Sequence, residues 1–235
     1  MDLSFTIGEE SFEAPDVITL ELFERAIVWD IEELKNLKPF MATILNCPIY
    51  KLNMMDEEVF YFISGILIHR IDVSDVEVVD QIEEFKLRKF EDFTFGEWVD
   101  LDTFISKSAT QNVTKIASIL YGADEEICKD WDIKEVWGAI VEANKWRETV
   151  YKEYDEFFEL GESEESDEDA SDANIQLMWY QSIIVLADDD FLKIHQVVER
   201  PYREALNYLT WKKSQVQKQK LEILKRKNDV QRRFK

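Results

Sequence analysis

The chain has 235 residues, 46% hydrophobic and 13% aromatic, with a net charge of −22. That apolar content supplies a real core and excludes a disordered chain despite the charge, and only six glycines and four prolines favour helices over a turn-rich sandwich. The acidity opposes nucleic-acid phosphates and anionic membranes everywhere except residues 211–235, whose ten Lys or Arg and two acids give +8 against −30 for residues 1–210.

Leu3–Ile7 and Ser11–Glu13 alternate around Gly8-Glu9-Glu10, the pattern of a short hairpin. Thr19 is placed to cap a first helix running to about Trp29. Asp30, with Glu33 three residues on, is placed to cap a second, whose stripe of Ile31, Leu34, Leu37, Phe40, Met41 and Ile44 ends at Cys47-Pro48. Asp56 caps a third helix, apolar on most sides through Val59, Phe60, Phe62, Ile63 and Ile66, and expected deep in the core. Val76–Leu87 predicts one or two strands, and Phe90, Phe93 and Phe95 alternate in the manner of another. A helix is expected to start in the run Gly96–Phe104, another covers Asn112–Tyr121 and stops at Gly122, and residues 131–160 are helical. Gly161–Ala173 holds seven acids, three serines and no large apolar residue, which predicts a flexible insert. Beyond it come an apolar helix over Ile175–Leu186, a short helix over Phe191–Val198 capped from Asp188-Asp189-Asp190, and a final helix with Pro201 at its first position.

These elements predict a mainly α fold with a small β component (α+β). Residues 1–160 form a helical body with small β elements, 161–173 the acidic insert, and 174–235 a helical region ending in the basic helix. Met1-Asp2-Leu3-Ser4 shows no basic segment leading into an apolar run, so no signal peptide is expected. The longest largely apolar run, Val59–Ile68, falls well short of the roughly 20 residues a membrane span needs. Cys47 and Cys128 stand in no CxxC spacing and read as reduced core residues, with a single buried disulfide as the alternative.

No motif points to catalysis or to a cofactor. His69 and His195 have no His, Cys or Asp at zinc spacing, Asp188-Asp189-Asp190 lacks the spacing of a calcium loop, and no phosphate-cradling glycine motif or nucleophile elbow is present. The acidic stretch Ser163–Asp172 is a solvated spacer or, alternatively, a binding segment for a basic partner or an acceptor of phosphate on Ser163, Ser166 or Ser171. In the final helix Leu209, Val216, Ile223 and Val230 recur every seven residues, while the companion positions include Lys213, Lys220 and Lys227. A self-pairing zipper would line its seam with like charges. The helix, with Arg232 and Arg233 near its end, instead suits docking on an acidic surface, whether of its own body, a neighbouring copy or another protein. A frayed solvated tail is the bland alternative.

Two stretches carry a family resemblance. Phe93-Thr94-Phe95-Gly96-Glu97-Trp98-Val99-Asp100-Leu101-Asp102, followed by Asn112–Gly122, resembles small tail-assembly proteins of tailed bacteriophages, in which a T-x-G-E-x-x-D-L turn precedes a helix ending in I-L-Y. Ile184–Ala187 through Ala205-Leu206-Asn207-Tyr208-Leu209 is similar to the end of tail-assembly chaperones and baseplate-hub assembly proteins of T-even-like phages, where a V-x-x-x-P-x-x-x-x-L-x-Y-L run leads into a charged tail. The acidic insert departs from that pattern. The resemblance implies a non-catalytic assembly factor or minor virion component that binds tape-measure or baseplate-hub proteins in the host cytoplasm or the virion. The competing reading is a cellular adaptor that uses the acidic insert.

Overall fold

Leu3–Ile7 (β1) and Glu10–Ala14 (β2) pair antiparallel as a hairpin, with Ile7 opposite Glu10. The structure, a computed structural model, describes residues 3–31, 33–158 and 168–233. After the hairpin come α1 (Leu20–Ala26), α2 (Leu34–Ile44), α3 (Ile49–Leu52) and α4 (Glu57–Ile71), then two-residue strands β3 (Gln81–Ile82) and β4 (Phe85–Lys86). The helices α5 (Phe95–Ser108), α6 (Val113–Tyr121), α7 (Glu125–Cys128), α8 (Ile133–Glu153), α9 (Asp155–Phe158), α10 (Glu168–Leu186), α11 (Ile194–Val198) and α12 (Tyr202–Arg233) complete the described chain. The fold is mainly α with a small β part. Among the described residues no helix is long and apolar enough to cross a membrane.

Several local expectations need correction. Thr19 caps α1 by accepting from the Leu22 amide, but the helix ends three residues before Trp29. Asp30 does not cap α2. Its backbone carbonyl accepts from the Glu33 amide at 3.2 Å and from Asn36 Nδ2 at 3.0 Å, so the chain turns first and the helix starts at Leu34. Leu34 is consequently exposed and Ile31 precedes the helix, while Leu37, Phe40, Met41 and Ile44 are buried as the stripe requires. Asp56 caps α4 through the Glu58 and Val59 amides. That helix is not enclosed, however: Phe60, Ile63, Leu67 and Ile71 face inward, and Val59, Tyr61 and Phe62 face solvent.

The Phe90–Phe95 alternation is not a strand. Phe90–Asp92 is a 3₁₀ turn and Phe95 opens α5, because Thr94 and Glu97 form a reciprocal capping box: the Thr94 amide donates to Glu97 Oε2 at 2.9 Å and the Glu97 amide to Thr94 Oγ1 at 3.3 Å. The acidic insert ends sooner than composition suggests, since Glu168 already lies in α10; its residues 161–167 lie outside the described residues. Asp188 and Asp189 take left-handed φ of 58° and 59° to end α10, leaving Asp190 alone to cap the next turn through the Leu192 amide. Pro201 precedes α12, its carbonyl accepting from the Ala205 amide.

By contacts the chain gathers into two compact units, Met1–Arg88 with Phe104–Asn144 and Lys89–Thr103 with Lys145–Lys235. Each draws on two separate stretches, unlike the contiguous division at 160 and 173 read from composition. In the first unit, the Leu20 amide donates to the Trp131 carbonyl at 3.0 Å and the Ile133 amide to Ile18 at 2.9 Å, tying the start of α1 to the start of α8 over a core of Phe23, Ile116, Leu120 and Val136. Cys47 and Cys128 are both free and buried. In the second unit, the Phe95 amide donates to the Arg200 carbonyl at 2.6 Å and the Tyr202 amide to the Phe93 carbonyl at 3.2 Å, which clasps the start of α5 to the start of α12. Trp98 stacks on Tyr202 at 5.4 Å and meets Trp146 edge-on at 4.9 Å, an aromatic core that leaves Trp98 and Tyr202 with no exposed surface.

Candidate functional site

The second unit holds the one fully buried acid among the described residues, Asp102 on α5. Its carboxylate accepts from Arg147 Nε at 2.6 Å, Tyr151 Oη at 3.0 Å and Trp179 Nε1 at 2.7 Å. Burial alone would lower the Arg147 value, but the Asp102 carboxylate and the Tyr151 side chain turn it upward. Burial and the same carboxylate push the Tyr151 phenol up. A carboxylate wrapped by three donors and shielded from solvent ties α5, α8 and α10 together; its lone pairs are already committed.

A binding surface lies beside this network. The C-terminal half of α10 and the middle of α12 leave a groove of about 370 Å³ between them, which Phe157 of α9 also lines. Its floor is Phe157, Met178, Val185, Leu209 and Val216, and its basic rim is Lys212, Lys213 and Lys220; no acidic residue lines it. α10 supplies the floor because Ile175–Leu186 is apolar nearly all round, so burying Trp179 on one side still leaves Met178 and Val185 beside the groove. Lys213 donates to the backbone carbonyls of Glu156 and Phe157, where α9 ends and its carbonyls lack helical partners. Lys212 Nζ reaches the Val185 carbonyl at 3.3 Å, near the end of α10. Both lysines thereby pin α12 to its neighbours, while Lys220 is exposed.

The residues singled out from sequence divide along α12. Leu209 is core, Lys213 is held by backbone carbonyls, and Val216, Lys220 and Ile223 are exposed on the same helix. The backbone continues as helix through Lys227, Val230, Arg232 and Arg233, whose side chains lie outside the described residues. Every described side chain from Val216 to Arg226 is exposed, a stretch of about 15 Å at 1.5 Å per residue. Sequence reasoning missed the opposite wall of Phe157, Met178 and Val185, because only tertiary contact places α9 and α10 against α12. It also missed Trp211, which lies off the seven-residue stripe, exposed and 5.6 Å from Tyr208.

No protein-family model, curated protein or solved structure matches this chain. The two stretches that carry the phage resemblance do meet in space, since Thr94 bridges Pro201 and Gly96 packs on Val198. Residues 93–95 of the first stretch and 200–202 of the second form the clasp of the second unit, while Asn112–Gly122 lies in the first unit. Among the described residues no three His, Cys, Asp or Glu side chains stand together as metal ligands. His195 pairs with Glu199 at 3.1 Å on an exposed helix surface.

Proposed function

We propose that this chain is a non-catalytic assembly factor that holds an acidic, amphipathic helix of another protein in the α9–α10–α12 groove. The observation that carries the reading is the groove's make-up: an apolar floor with a rim of lysines and no acid, the inverse of a helix with an apolar stripe and acidic flanks. The exposed continuation of α12 extends the same basic surface beyond the groove. The resemblance of residues 93–102 with 112–122, and of 184–209, to phage tail-assembly proteins supplies the client class, a tape-measure or baseplate-hub protein. On that reading the chain works in the host cytoplasm or stays in the virion.

The test is co-purification from phage-infected cells, with clients identified by mass spectrometry, using the intact chain and the full-length Lys212→Glu/Lys220→Glu/Val216→Glu variant. The intact chain is expected to bring down a tape-measure or hub protein and the variant to lose it while keeping its helical circular dichroism. Retention by the variant overturns the groove. Capture that survives in the variant but is lost when residues 161–167 are replaced by a Gly/Ser stretch would favour an adaptor acting through its acidic insert.

A further inference from the structure

One stripe of α12 passes from the interior of the second unit out to solvent. Leu209, Lys213, Val216, Lys220 and Ile223 follow one another at alternating four- and three-residue steps, so they lie along one side of the helix, as the seam positions of a heptad do. The same steps lead on to Lys227 and Val230 along the helical backbone. The inner end of the stripe is covered and shows what it takes. Leu209 is buried and lines the groove with Phe157, and Lys213 donates to the Glu156 and Phe157 carbonyls. An aliphatic position thus meets an apolar side chain, and a lysine position meets oxygen acceptors. The outer part has neither. Val216 and Ile223 are 43% and 54% exposed, and Lys220 has no hydrogen-bond or ion-pair partner among the described residues.

Given the groove reading above, on which this rests, we propose that the client helix carries acids inside its apolar stripe and not only on its flanks. One acid per heptad faces Lys220 and Lys227, alternating with aliphatic residues that face Val216, Ile223 and Val230. A lysine at one of the two seam positions of every heptad is costly against an apolar partner, which leaves the ammonium without an acceptor. A carboxylate at the facing position supplies one, as the α9 carbonyls do for Lys213. A second α12 does not meet the need: parallel pairing sets lysine against lysine, and antiparallel pairing sets lysine against valine or isoleucine. The stripe therefore selects a helix by where its acid stands and not by net charge alone. Val216 and Lys220 line the groove, so the client is held there by α10 as well as α12. Ile223 lies beyond the groove, where α12 alone offers the seam.

Fluorescence anisotropy with labelled three-heptad peptides, titrated with the full-length chain at about 0.1 M salt, tests the proposal. The probe alternates glutamate and leucine at three- and four-residue steps, with alanine and glutamine elsewhere. It is made in both sequence directions, so that parallel and antiparallel docking are both sampled. Its isomer exchanges each seam glutamate with an alanine of the outer face. The better of the two probes is expected to bind about tenfold or more tighter than its isomer, and to weaken about tenfold with Ile223→Glu. Lys220→Glu should lose this probe and take instead the one whose central glutamate is replaced by lysine. An isomer that binds as tightly, indifference to Ile223→Glu, no exchange of preference in Lys220→Glu, or no binding of any probe at several hundred micromolar overturns the proposal. So does sedimentation of the chain alone as a dimer that Ile223→Glu dissolves, since a second copy would then cover the stripe. An isomer that binds as tightly and is lost with Lys212→Glu, a groove lysine off the stripe, removes the seam and leaves the groove reading in place. Failure of the intact chain to capture a client removes the groove itself.

Discussion

Asp102 is where one side chain has most influence. Replacing it with Asn keeps the shape but leaves the partly buried Arg147 guanidinium without its anion; breaking a buried pair in this way costs about 3–5 kcal/mol. Tyr151→Phe removes one donor while Arg147 and Trp179 still hold the carboxylate, and should cost about 1 kcal/mol. Urea unfolding of the two variants checks the order, and equal losses would mean that the network is not organised around the charge. Cys128 makes a second prediction. Burial, reinforced by Asp124 and Glu125, pushes its thiol from 9.0 up to about 12. The folded chain keeps the proton where the unfolded chain releases it, so this contribution to stability is intact below pH 9 and is lost as pH rises from 9 towards 12. The expected slope is about 1.4 kcal/mol per pH unit. Tyr121, raised by burial to about 12 and donating to the Val79 carbonyl at 2.7 Å, adds to the loss above pH 10. Unfolding free energies at pH 8 and pH 10.5 should therefore fall steeply in the intact chain and less steeply in Cys128→Ala.

At the scale of elements, α8 depends on a glycine that no periodicity reveals. A Cβ on Gly138 would sit 2.2 Å from the Glu77 carbonyl oxygen and 2.8 Å from the Val78 amide nitrogen. Those atoms are backbone, so helix or segment must shift. Gly138→Ala should destabilise by about 3 kcal/mol even though alanine is the better helix former, and thermal melting would show it as a lower Tm. An unchanged melt would mean that the segment around Glu77 does not lie against the helix. The contrast with α1, α4 and α6 explains what could be read in advance. Thr19 and Asp56 cap their own helices, and Gly122, at φ +67°, ends α6 by itself; local chemistry decides these boundaries and the sequence displays it. The Thr94–Glu97 box was equally local, yet the alternating phenylalanines around it mimicked a strand. Phe90, Phe93 and Phe95 are spaced to enter one aromatic core from a 3₁₀ turn and a helix start, which a period of two cannot distinguish from a strand. Half of the groove was legible as the stripe on α12. The other half was not, because Phe157 and Val185 lie far from α12 in the sequence and meet it through tertiary contacts, such as Lys213 on the Glu156 and Phe157 carbonyls and Lys212 on the Val185 carbonyl, that no local pattern displays.

Across the whole molecule the charge division sets how binding should respond to salt. A client with acidic flanks meets two fields at once: attraction from the lysines at the groove rim, and repulsion from a chain whose total is −22. The two differ in range. At about 0.01 M salt the Debye length is about 30 Å and the repulsion of the whole chain reaches the client; at 0.1 M it is about 10 Å, leaving mainly the rim; at 1 M it is about 3 Å and both are lost. Affinity should therefore pass through a maximum near 0.1 M instead of falling steadily from the lowest salt. Fluorescence anisotropy with a labelled synthetic peptide, a helix with leucines on one face and glutamates flanking it, titrated with the full-length chain at the three ionic strengths, measures this directly. Lys212→Glu/Lys220→Glu should flatten the maximum by removing the short-range attraction while leaving the long-range repulsion. A steady fall from 0.01 M in the intact chain would mean that the groove is insulated from the acidic remainder, and a profile indifferent to salt would remove the lysine rim from the binding reaction.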